Sequence, residues 1–126
     1  MTIDEFFAGE DLSRQLFDKI QGFLTTLGPF ETKVSKSQIC FRREKAFAWV
    51  WMPGKYLHRK VAPLVVTFVF DHRDPSPRWK EVVEPAPGHF THHLELFSLN
   101  DIDGQVDGWF REAWIIGIKK KQEQVR

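Results

Sequence analysis

The heptapeptide LVVTFVF, residues 64–70, is apolar at six of its seven positions. Its β-branched and aromatic residues suit an extended chain, and it is far too short to span a bilayer. A strand that is apolar on both faces belongs near the middle of a sheet, covered on each side. Upstream, Phe47 to Met52 reads as a second strand, ended by Pro53-Gly54. Before that, residues 37–43 alternate, with Ile39 and Phe41 on one face and Gln38, Cys40 and Arg42 on the other. Downstream, DHRDPSP at 71–77 is a loop by composition, and residues 89–97 read as a fourth strand. Between them, residues 79–83 suit a short helical turn stopped by Pro85 and Pro87.

The ends are helical. Thr2 and Glu5 have capping-box spacing, ahead of a short turn through Phe6 and Phe7 that ends at Gly9. From Asp11 the apolar positions 12, 16, 17, 20, 23, 24 and 27 recur at helical spacing until Gly28-Pro29. Near the other end Asn100 can cap a helix whose stripe is Ile102, Val106, Trp109, Ala113 and Ile116. Gly104, Gly108 and Gly117 weaken that helix, and residues 119–126 are expected to be a flexible basic tail. The expected fold is α+β: a single two-layer domain over residues 1–126, with a mostly antiparallel four-stranded sheet flanked by N-terminal and C-terminal helices, in the order α-β-β-β-β-α.

Length and composition agree with one folded domain. The chain has 126 residues, 42% hydrophobic, with five Trp and twelve Phe, enough for one proper core. The acidic start MTIDEFFAGED lacks the layout of a signal peptide, and no run spans a membrane, so a cytoplasmic protein is expected. The single Cys40 forms no internal disulfide and supports no thiolate-rich zinc site. Net charge is +1, but unevenly spread: residues 33–80 carry eleven Lys/Arg against three acids, +8, and the rest of the chain carries −7. Such segregation can build an anion-attracting surface.

The stretches LGP at 27–29, KSQICFRREKAFAWVWMP at 36–53, RDPSPRWKEVVEPAPGHFTHHLEL at 73–96 and DGWFREAW at 107–114 resemble the bacterial domain of unknown function family 5655. The resemblance covers nearly the whole chain. It implies a single domain with this element order, and it matches the family's polar positions at Lys36, Gln38, Arg78, Lys80 and His93. It implies no particular activity.

Chemistry must therefore be read from the residues. His89, His92 and His93 fall within five positions, which first suggests a metal. Strand alternation separates them: His92 shares a face with Leu94 and Leu96, while His93 and Glu95 point the other way. A 2-His-1-carboxylate site would need one of them with Asp71, Asp74 or Glu81, and no metal is expected. His93 near Lys80 and Glu81 could act as a general acid or base, the role it would have in a small enzyme. No nucleophile motif, paired carboxylates or Gly-rich phosphate loop is present, so no cofactor is expected either. Lys36, Gln38 and Arg42 share one strand face, and Trp49 and Trp51 share another, so an anionic small molecule or a nucleic acid could be held there. The expected ligand site is Lys36, Gln38, Arg78, Lys80 and His93, with Trp51 or Trp79 as an apolar wall. A third possibility is a homodimer or a neighbouring domain covering the sheet face that the helices leave bare.

Overall fold

Thr2 and Glu5 cap the first turn reciprocally, the Glu5 amide donating to Thr2 Oγ1 at 3.0 Å and the Thr2 amide to the Glu5 carboxylate at 2.8 Å. The computed structural model describes residues 1–55 and 60–118; the expected basic tail at 119–126 lies outside the described residues. Helix α1 (Ile3–Phe6) buries Phe6, with Phe7 beside it, and α2 (Asp11–Leu27) buries Leu16, Phe17, Ile20 and Leu24 at the expected spacing. Gly28 ends α2 with φ of +146°, where a side chain would be strained, and a Cβ there would lie 3.0 Å from the Trp114 ring.

The sheet has six strands among the described residues, where four were expected: β1 (Glu31–Val34), β2 (Ile39–Arg42), β3 (Ala46–Trp51), β4 (Leu64–Phe70), β5 (Glu81–Ala86) and β6 (His89–Leu96). Their order is β1-β2-β3-β4-β6-β5, with every neighbouring pair antiparallel. The two additional strands are the edges, where exposed polar residues hide the alternation on which strand prediction relies. The short helix expected at 79–83 does not form. Trp79 turns into the core, Glu81 onward pairs with β6, and Pro85 sits where the edge register shifts, a position that tolerates its missing N–H.

Strand β4 is central, as its composition demanded. Leu64, Val66, Phe68 and Phe70 share one core with residues of all three helices. Val65, Thr67 and Val69 point to the other face, which no described helix covers. That face shields its own centre with long side chains from β3 and β6, leaving Val65 1% and Thr67 9% exposed.

Strand β4 ends beside Phe90, while β5 starts opposite His93, so residues 71–80 must cross β6. They cross on the helix-covered face, above His92, which is fully buried. His92 Nδ1 donates to the Phe90 carbonyl at 2.9 Å, and Nε2 accepts the Asp74 amide at 3.0 Å, so the ring is neutral with its proton on Nδ1. The Asp74 carboxylate accepts from the Ser76 amide and from the indole N–H groups of Trp79 and Trp109, at 2.9, 3.1 and 3.0 Å. Its burial favours the neutral acid, but these three donors outweigh it and hold the pKa below the ordinary value.

Arg78 closes the crossing. Its guanidinium meets both carboxylate oxygens of Asp103 at 3.0 Å and also donates to Gln105 Oε1 and the Asp101 carbonyl. His72 pairs with Glu112 and stacks on Phe70. Asp103 is also the N-cap of α3 (Gly104–Ile116), accepting the Val106 amide at 3.1 Å. The helix thus starts later than the Asn100 cap suggested, because Ser98 and Asp101 first close a separate turn over Leu99–Asp101. Gly104 and Gly117 then fall at the ends of α3, and only Gly108 weakens its interior.

A pH test follows from His92. Burial, the largest influence, pushes its pKa below the ordinary value. The unfolded chain therefore binds this proton first as pH falls below about 6.5. The His92 contribution is fully present above that pH and is lost as pH falls toward the depressed folded value. His72 acts oppositely, because its bond to Glu112 raises its pKa. Urea unfolding of wild type and His92→Phe between pH 7.5 and 5 isolates the first effect: the wild type is expected to lose more stability over that range. Parallel curves would show that His92 does not titrate with unfolding.

Candidate functional site on the open sheet face

Antiparallel register places Lys33, Cys40, Trp49, Thr67, His93 and Glu81 in one line across all six strands, on the face opposite the helices. Around the middle of this line lies a pocket of about 540 Å³. Trp49 and Trp51 line it from β3, Thr67 and Val69 from β4, Thr91 and His93 from β6, and Ser37 and Gln38 from the turn before β2. That turn is held by Ser35, whose hydroxyl oxygen accepts the amides of Ser37 and Gln38 at 3.3 and 3.2 Å. The volume suits a small organic molecule. Among the described residues, the lining carries two indoles, three hydroxyls, one amide and one imidazole, and no Lys, Arg, Asp or Glu.

A hydrogen-bond chain runs through the pocket floor. Trp51 Nε1 donates to Thr67 Oγ1 at 3.2 Å, and Thr67 Oγ1 lies 2.9 Å from His93 Nδ1. The Trp51 and His93 rings meet edge to face at 6.5 Å. Burial pushes the half-buried His93 below its ordinary pKa; Glu81 on β5 opposes this and Lys80 reinforces it. Lys80 is turned toward β6, its Nζ 3.3 Å from Glu95 and its amide donating to the His93 carbonyl at 2.8 Å.

Of the residues expected to form a site, Gln38, Trp51 and His93 come together here. Lys36 is exposed in the turn next to Ser37 and is not part of the lining. Lys80 lines a separate hollow with Glu95 and Phe97. Arg78 and Trp79 do not join the set: the crossing of residues 71–80 carries both to the helix side, Arg78 to Asp103 and Trp79 into the core. The tryptophans divide in the same way, since Trp79, Trp109 and Trp114 are buried under the helices while Trp49 and Trp51 face the pocket. Thr67 and Thr91 were missed, because a threonine in a strand reads as a strand former and gains a role only from register.

The histidines are separated as alternation requires, with His92 under the crossing loop and His93 in the pocket. Among the described residues, the side chains whose ligating atoms converge, within 4.8 Å, are Asp71, His72 and Glu112, which include none of the three clustered histidines.

Fold and face together define a small α+β domain that displays an aromatic-walled pocket on an open antiparallel sheet. The chain belongs to the family described as Domain of unknown function (DUF5655), whose pattern matches residues 3–116. No curated protein and no solved structure matches it. No helix among the described residues is long and apolar enough to cross a membrane.

Proposed function

We propose that the domain is a small-molecule binding module whose ligand occupies the open-face pocket. The observation that carries this reading is the convergence of two indoles with hydrogen-bonding groups, from three strands and one turn, on a surface that no described helix covers. Indoles offer broad apolar contact, while Gln38, Thr91 and His93 offer directional bonds, the usual division of labour in a ligand site. An anion draws less support, because the lining holds no cation among the described residues and two of the expected cations, Arg78 and Lys80, already face Asp103 and Glu95.

Thermal-shift screening of neutral aromatic fragments and of anions on wild type and Trp51→Ala tests this. A ligand at 100 times its Kd adds about 2.7 kcal/mol of stability. Neutral hits that raise the wild-type Tm and leave Trp51→Ala unmoved are expected. Hits that act equally on both proteins would overturn the assignment to this pocket. So would light scattering that shows a dimer lost in Trp51→Ala, because the face would then be a subunit interface. An enzymatic role for His93 is favoured by its bond to Thr67, and would appear as turnover abolished in His93→Ala.

A further inference from the structure

An indole N–H can only donate, so the 3.2 Å bond from Trp51 uses a lone pair of the Thr67 hydroxyl. The hydroxyl has one proton of its own to place. The acceptor beside it is His93 Nδ1, at 2.9 Å. If that nitrogen accepts, the imidazole carries its proton on Nε2, which has no protein partner among the described residues.

We propose that the Trp51–Thr67–His93 chain holds His93 as a neutral Nε2–H donor, so that the pocket takes an uncharged flat ring bearing a hydrogen-bond acceptor, such as a carbonyl-substituted heterocycle. The proposal rests on the ligand-binding reading above and specifies its ligand class. Two features support it beyond the bond chain. Uncharged groups adjoin the ring: Trp51 meets it edge to face, Thr67 lies against Nδ1, and Thr91 lines the same pocket. Among the described residues, the charged groups that reach it are Glu81, opposite on β5, and Lys80, itself turned to Glu95; burial favours the neutral ring, and these two oppose one another. A flat ring against Trp49 and Trp51 then gains stacking contact, and its carbonyl receives the Nε2 proton. A carboxylate would instead give up its hydration for neutral donors with no cation among the described lining residues, a poor exchange.

The experiment uses the full chain, labelled with ¹⁵N. Long-range proton–nitrogen spectra at pH 7.5 report which imidazole nitrogen is protonated. His93 is expected to carry its proton on Nε2, whereas His92 in the same spectrum carries it on Nδ1, fixed by the Phe90 carbonyl and Asp74 amide, and so serves as an internal control. Titration with nicotinamide and with nicotinate, which share a ring but differ in charge, then reads the preference. Nicotinamide is expected to shift the Trp49, Trp51 and His93 resonances and to bind about tenfold more tightly than nicotinate, the equivalent of one hydrogen bond. Thr67→Val, close in shape and suited to a strand, is expected to abolish the His93 preference for Nε2–H and narrow the ratio. A His93 proton on Nδ1, an imidazolium at pH 7.5, or nicotinate binding as tightly as nicotinamide would overturn the proposal while leaving a ligand-binding pocket in place. No shift at Trp49, Trp51 or His93 with either probe would overturn both.

Discussion

Asp74→Ala is expected to destabilise the domain by about 4 kcal/mol, measured as the change in urea-unfolding free energy at pH 7.5. The side chain looks replaceable from its position in a Pro-rich loop. Its carboxylate, however, receives three N–H donors at once, from Ser76 and from the indoles of Trp79 and Trp109. The two rings lie 4.1 Å apart between centroids and are 9% and 5% exposed, so both N–H groups lose their acceptor in a largely buried setting. Each buried donor left unpaired costs about 1–3 kcal/mol, and the Ser76 bond adds to that. Asp74→Asn keeps one acceptor oxygen but turns an amide N–H₂ toward the remaining donors, so about half the loss is expected. A change below about 1 kcal/mol for Asp74→Ala would mean that the crossing loop does not depend on this carboxylate, and that the packing of Trp79 alone holds it. The total stability of a domain this size is about 5–15 kcal/mol, so the expected loss is a large part of it.

That carboxylate also shows why the most arresting stretch of the sequence was misleading. RWKEVVEPAPGHFTHHLEL concentrates Arg, Trp, Lys and His as functional sites do, yet Arg78, Trp79 and His92 fasten a crossover. The partners of Arg78 and Trp79, namely Asp103 and Trp109, stand 25 and 30 positions further on, and nothing local in the sequence announces the pairing. What periodicity controls was legible. Helical spacing defined α2, the apolar run identified β4 as central, and period-2 alternation separated His92 from His93. What was not legible depends on register or on edges. Strand β1 is four residues long with Glu31 and Lys33 turned out, and β5 carries Pro85 and little apolar surface, so neither presents a clear pattern. The pocket needed the Trp49–Thr67–His93 register, which no single strand encodes.

The two faces of the sheet should also differ in what they contribute to stability. Phe68→Ala is expected to cost about 4 kcal/mol, in the range for a fully buried phenylalanine. Phe68 is 0% exposed, and its ring contacts those of Phe70, Trp79 and Phe110 at 5.6, 5.8 and 4.7 Å, so truncation leaves a cavity that three rigid rings cannot close. One residue along, Thr67 faces the pocket, and its neighbour on β3 is Trp49. Trp49→Ala removes a larger side chain, yet is expected to cost only about 1–2 kcal/mol, since a half-buried ring on an open face leaves a hollow that water can enter. Urea unfolding of the two variants checks the contrast, and equal losses would mean that the open face is as much a core as the other. The ordering matters for the site, because a sheet anchored entirely from the helix side can keep bulky indoles on its far side without needing them to fold. Those indoles are then not required for folding, and under the proposed ligand-binding function substitutions at Trp49, Trp51 and Thr67 test binding on a domain that still folds.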